Sequence, residues 1–339
     1  GLAYATRHPA LLLFGASPET LPYAMDYYSY YLTGTVFALL STGMNQFIIC
    51  QGFAKKGMQS VMLGAVLNII LDPIFIFGLH LDVAGAALAT VAAQTVSVLV
   101  SLFLIRLRRR SLPFAFSRRH LRFHRDIIGA ELRLGTPVAL QELLVGTSFL
   151  LIQAIVNSFG VAASAGVGVA EKVCVFIMLV PSAYMQSMSS FVAQNMGAGN
   201  PIRAKKALKY GILTSVAAGL VMALLTFFHG DLLSAIFSPD PEVVAASHSY
   251  LKAYAIDCML TPFLFCFMGY YNGCEKTLFV MIQGIIGAFG VRIPIAYLVS
   301  RIPGATLFQI GLGPPASSTV QIVLCLAMFL YLERRQRRE

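Results

Sequence analysis

The chain has 339 residues, 57% of them apolar and only 12% charged, with a mean hydropathy of +0.74. Soluble domains carry roughly a quarter charged residues, so these totals exclude a soluble globule, and an apolar, aromatic-rich chain without low-complexity tracts is not disordered. The 25 Lys and Arg outweigh 15 Asp and Glu by a net +10, but they fall in short gaps between apolar runs, the mark of membrane loops rather than a nucleic-acid face.

A spanning helix needs about 20 mostly apolar residues. Residues 1–14 read as the outer end of one such span, already under way at Gly1. The first full run, 27–50, stops before Gly52 and the pair Lys55–Lys56. The second, 58–78, holds Asn68, Asp72 and Pro73, and the third, 84–105, is uncharged. Nine Arg then crowd between Arg106 and Arg133. Within that segment, 119–134 mixes basic residues with Leu121, Phe123, Ile127, Ile128 and Leu132, the pattern of an amphipathic helix on a membrane interface. Runs at 135–158, 163–189, 209–228, 244–270, 278–300 and 308–332 complete the set, and 333–339 is a basic tail. Lipid-exposed backbone must satisfy its own hydrogen bonds, so the spans are helices and the fold class is an all-α polytopic bundle. The six Cys lie in or beside apolar runs and read as small hydrophobes; no metal-ligand or cofactor spacing is present.

Apart from Arg7, Lys172, Lys252, Arg292 and Arg301, every Lys and Arg falls in alternate gaps or in the tail. The opposite gaps are acidic, with Glu19, Asp26, Asp82, Asp231, Asp240 and Glu242. The positive-inside rule places the basic loops and the C-terminus in the cytoplasm.

Laid on itself at an offset of 221, the chain matches Ser17-Pro18-Glu19 with Ser238-Pro239-Asp240, Gly52 with Gly273, Lys55 with Lys276 and Pro73 with Pro294. These are turn and kink residues, where backbone geometry restricts the choice. The expectation is two halves in parallel repeat. Residues 1–105 form what is left of a first lobe, 106–133 a basic linker, 134–332 a second lobe, and 333–339 the tail. On this register the first half lacks about two and a half helices, so the chain reads as a piece of a twelve-span protein.

Three stretches resemble the multidrug and toxic compound extrusion (MATE) transporters. They are Gly64-Ala-Val-Leu-Asn68-Ile-Ile-Leu-Asp72-Pro73-Ile-Phe-Ile-Phe-Gly78, Val83-Ala-Gly85-Ala-Ala-Leu-Ala-Thr90, and Phe191-Val-Ala-Gln194-Asn195-Met-Gly197-Ala-Gly199-Asn200. The resemblance implies a monomeric transporter, not an enzyme, in a bacterial inner membrane. It also implies two six-helix lobes that alternate access to a central cavity and expel small cationic organic compounds in exchange for Na⁺ or H⁺. The span that in one branch of the family carries a cation-binding Asp would precede Gly1. In another branch acids on the seventh and tenth helices hold the cation; Glu142 and Asp257 are on the matching spans, each about a turn from the motif position.

An ionisable side chain at the bilayer centre costs about 2.5–3.5 kcal/mol on insertion scales, so each needs a partner or a task. Asp72 shares a face with Asn68 and Gly64; it is either a carboxylate facing the cargo or part of a packing site in which Asn68 repairs the carbonyl freed by Pro73. Gln141 and Glu142 lie near the cytoplasmic end of their span, the latter on a face that continues through Gly146, Gln153 and Asn157, either lining a path or snorkelling to loop arginines. Glu171 and Lys172 are adjacent, cannot face each other on a helix, and read as structural. Gln186 and Ser182 offer a further polar face. Asp257 follows Tyr250 and Tyr254 and precedes Thr261 on one stripe, a site for a proton or an oxygen shell for Na⁺, unless Arg292 or Lys252 neutralises it. The coupling candidates are therefore Asp257, Glu142 and Asp72. Those for the cargo cavity are Asn68, Gln141, Tyr254, Thr261, Gln186 and Arg292. A lipid-linked oligosaccharide flippase of related architecture, or a transport-inactive fragment, is the alternative reading. A flippase cavity would want several bases, whereas the spans hold more acids than bases.

Overall fold

The computed structural model describes residues 2–13, 19–107 and 124–336, and among them the regular structure is helical. Two short helices, Leu2–Ala5 and Arg7–Leu13, come first. Nine helices long and apolar enough to cross a membrane follow among the described residues. They are α1 (Leu21–Cys50), α2 (Ala54–Gly78), α3 (Asp82–Leu107), α4 (Arg125–Phe159), α5 (Val161–Gly197), α6 (Pro201–Ala235), α7 (Pro241–Gly273), α8 (Thr277–Ser300) and α9 (Leu307–Arg335). Each contains one of the runs expected from hydropathy. The last turns of α5 run beyond the apolar stretch because a helix continues past the apolar layer wherever its backbone bonds stay intact. Residues 119–123 of the amphipathic stretch lie outside the described residues, and from Arg125 onward that stretch is the first part of α4 itself.

Local chemistry sets the ends. Pro201 and Pro241 open α6 and α7 at a position where the missing N–H costs nothing. The Asp240 carboxylate accepts a hydrogen bond from the Glu242 N–H at 2.9 Å. Thr306 and Gln309 cap each other at the start of α9. Gly199 ends the connection after α5 with φ +71°, a conformation L side chains avoid. Gly197 is still helical, so one glycine of the pair makes the turn. Two segments widen into π-helix, Ile74–Gly78 directly after Pro73 and Ile286–Arg292 one residue before Pro294. Pro294 removes the ladder bond to the Gly290 carbonyl, inside the second segment, and the added residue per turn accommodates the loss.

The chain forms two compact units, Gly1–Arg122 and Phe123–Glu339. In the first, α1 and α2 pack on α3 and on each other. In the second, α7 packs on α9 and α8, as its counterpart α1 does on α3 and α2. The helix ends of the two units correspond at 50 and 273 and at 54 and 277, two residues off the gapless sequence register, because Glu275, not Gly273, takes the left-handed turn matching Gly52.

Within the second unit α7 is the centre. Two thirds (67%) of its most apolar window is buried, against 17% for α4, and α5, α6, α8 and α9 all pack on it. Close approach to α5 depends on Gly269, where a Cβ would run into the Met185 carbonyl and the Met188 side chain. Gly269→Val is expected to lower stability by about 1–3 kcal/mol, or to prevent folding, as overpacking against backbone does. Thermal unfolding in detergent checks this. Gly284 and Gly287 likewise admit the side chains of Gln141 and Gln321, whereas Gly290 faces only Ile286 at ordinary contact.

Candidate functional site

In the second unit, α7 delivers Asp257 to an interior position. It is 2% exposed, and its Oδ1 has no hydrogen-bond partner. The Ser318 hydroxyl on α9 and the Arg292 guanidinium on α8 are the polar groups that act on it. Arg292 does not neutralise it directly. Among the described residues neither Asp257 nor Arg292 has an ion-pair partner. The guanidinium instead donates from Nη1 to the Ser148 Oγ at 3.1 Å and lies 4.5 Å above the Phe149 ring, both on α4. Its Nε is buried and unpaired. Ser148 is held for this role by donating to the Val145 carbonyl at 2.7 Å. Arg292 closes the π-helical segment of α8, where the wider turn displaces the side chain from a regular helical position.

Thr261 is buried one turn beyond Asp257, and its hydroxyl donates to the Asp257 backbone carbonyl at 2.8 Å. A threonine in a helix bonds back to the i−4 carbonyl whenever its rotamer allows; the proton is then committed, while the lone pairs of the oxygen remain free to accept.

Beside this centre, α4, α5 and α7 enclose a cavity of about 490 Å³ lined by Phe149, Glu171, Cys174, Val175, Met178, Leu179, Ser182, Tyr250 and Tyr254. Two of its polar atoms, Glu171 Oε1 and the Tyr250 hydroxyl, are buried without a partner. An apolar, aromatic wall with one carboxylate suits a lipophilic cation: the ring faces attract its charge and the carboxylate fixes it. Tyr254 and Ser182 are among its lining residues. Glu171 was read as structural, since adjacency to Lys172 says only that the two diverge. In the structure Lys172 is exposed while Glu171 turns inward, and the signal lay in its i+3 spacing to Cys174 on the buried face. Gln186, one turn past Ser182, is exposed.

Glu142 is exposed on α4 and is not among the groups acting on Asp257, so the two acids do not converge in this structure. Its neighbour Gln141 is buried against Gly284. Gln283, 1% exposed, has both amide atoms unpaired on the same helix face region of α8, a second polar vacancy in the unit's interior.

In the first unit a separate cleft of about 420 Å³ is lined by polar groups of α1, α2 and α3, among them Asn45, Asn68, Thr90, Gln94 and Ser97. The Asn68 amide donates to Asp72 Oδ1 at 3.1 Å and to Thr90 Oγ1 at 3.4 Å. Thus Asp72 orients the amide that faces the cleft. Asn68→Ala and Asp72→Ala are each expected to lower transport about threefold to tenfold, and the double variant no further than the worse single one, because each removes one end of the same bonded pair. Initial efflux rates of the three variants measure the coupling.

The MatE family model matches residues 2–74 and 137–298. The chain is 28% identical over 328 residues to the multidrug export protein MepA of Staphylococcus haemolyticus, covering 95% of this chain and 70% of that one. It is 26% identical over 324 residues to the FAD transporter of Shewanella oneidensis, covering 94% and 70%. The fold superimposes on a Vibrio cholerae MATE transporter, VcmN, with a TM-score of 0.88 at 21% identity, over 100% of this chain and 75% of the other.

Proposed function

The chain belongs to the MatE family of multidrug efflux transporters, and on that premise we propose that it exports cationic organic compounds in exchange for Na⁺ or H⁺. The observation that carries the reading is Asp257, a carboxylate in the core of a membrane protein with an unpaired oxygen and no base bound to it. Burying such a charge costs several kcal/mol unless a proton or cation accompanies it. Occupancy by the coupling ion and occupancy by the cargo are then linked, because the neighbouring cavity holds a second acid, Glu171, and shares Tyr254 and Tyr250 with the Asp257 helix. A cation entering the cavity adds positive charge near Asp257 and favours loss of its ion; reloading favours loss of the cargo. That reciprocity is what exchange requires.

The cargo charge follows from the acids. Glu171 and the Asn68–Asp72 pair present carboxylates to, or just behind, the two cavities, whereas Arg292 is turned to Ser148 and Phe149. The charge asymmetry supports basic loops and a C-terminus on the cytoplasmic side, and the likeness to a multidrug export protein supports export as the direction of cargo movement.

Proteoliposomes loaded with a cationic dye test the reading. Release on imposing an inward Na⁺ or pH gradient is expected; release indifferent to both gradients would reject ion exchange.

A further inference from the structure

Asp257 and Arg292 are the only charged side chains buried among the described residues, and the exchange scheme above gives a task to the first alone. The two are not in ion-pair contact. The guanidinium lies instead on α4, where Nη1 donates to the Ser148 hydroxyl at 3.1 Å and the Phe149 ring centre is 4.5 Å away. Its Nε has no partner. A neutral hydroxyl and a ring face are weaker partners for a buried guanidinium than an ionised carboxylate. A base that keeps the weaker pair beside an acid suits an acid already neutralised by a proton or a cation.

Arg292 also adjoins the cargo cavity. Phe149 is one of its walls, and so are Tyr250 and Tyr254, on which the Arg292 charge acts. The root of the side chain is fixed: a Cβ at Gly313 of α9 would come 3.1 Å from the Arg292 carbonyl and 3.6 Å from its Cγ. Beyond Cγ the side chain still rotates. We propose that Arg292 is a positioning residue that changes partners during the ion exchange inferred above, on which this role rests. It lies on Ser148 and Phe149 while Asp257 holds its cation, and swings to Asp257 when a cationic cargo fills the cavity. The cargo competes for the Phe149 ring and repels the guanidinium from it. The guanidinium then neutralises Asp257 and expels the cation. Reloading returns Arg292 to Phe149 and drives the cargo out. At no step is the acid buried and unpaired, which is the costly state.

The chain has no Trp, so Phe149→Trp supplies a single indole reporter beside the guanidinium. Moving that purified protein from acidic Na⁺ buffer to alkaline Na⁺-free buffer empties Asp257 of either ion. The indole emission is expected to shift as the guanidinium departs, and adding Asp257→Asn or Arg292→Gln should abolish the shift. No shift in Phe149→Trp alone, or a shift that survives either addition, overturns the proposal. A second measurement leaves the ring unaltered. Arg292→Gln removes a buried charge with an unpaired Nε, so the fold should survive. At equal occupancy by a cationic dye it should release less than about half the cation that the wild-type protein releases, because the competitor for Asp257 is gone. Equal release from the two proteins overturns the role of Arg292 and leaves ion exchange standing. A wild-type protein that releases none removes the exchange reading, and this role with it.

Discussion

Replacing Asp257 with Asn is expected to cut gradient-driven dye efflux at least about tenfold while leaving the protein as stable as before, or more so. The two effects have one cause. Asn keeps the side-chain shape and can still meet the Ser318 hydroxyl, but it removes a charge whose Oδ1 has no partner in the folded protein. A buried acid retained for structure behaves in the opposite way: its loss leaves a bound base unpaired, and stability drops. Arg292 acts on Asp257 from beyond ion-pair distance and keeps Ser148 and Phe149 as partners when the charge is removed, so that penalty is small here. Efflux rate and thermal midpoint, measured on the same preparation, separate the two cases. A fall in both together would make Asp257 a structural residue.

Glu171→Gln should weaken binding of a cationic dye by about ten- to a hundredfold, equivalent to about 1.4–2.8 kcal/mol. A neutral dye of similar shape should bind as before. The carboxylate lines a cavity whose other walls are Phe149, Met178, Leu179 and two tyrosines, so the local dielectric is low and a single charge contact counts for more than on a surface. Gradient-driven exchange of the cationic dye should persist at saturating dye, because Asp257 is intact. Fluorescence titration with the two dyes gives the ratio directly. Equal losses for both would mean that Glu171 shapes the cavity and does not read charge.

The spans were legible because bilayer thickness imposes a length and composition that short loops cannot imitate. The loop charges were legible for the same reason. Side-chain direction was harder. The 3.6-residue stripe through Tyr250, Tyr254, Asp257 and Thr261 correctly placed all four inside, yet it could not say that the Thr261 hydroxyl donates its proton to a backbone carbonyl. Depth alone suggested that Arg292 neutralises Asp257, but the π-helical segment before it redirects the guanidinium to Ser148 and Phe149 on another helix. Ser148 has no charge, no motif and no periodic signal, so nothing in the sequence pointed to it. Asn68 and Asp72 were paired correctly from their i,i+4 spacing; Thr90, the third member, comes from the next helix and needed the fold. The inward turn of Glu171 was not legible, because a charged pair at adjacent positions leaves open which member faces inward.

The central claim is that Asp257 carries a small cation which the cargo displaces. It is tested most directly by adding a cationic dye to the detergent-solubilised protein in weakly buffered solution and recording released H⁺ and Na⁺ with ion-selective electrodes. About one cation released per dye bound by the wild-type protein, and none by Asp257→Asn at equal dye occupancy, is the expected result. The same release from both proteins would contradict the account.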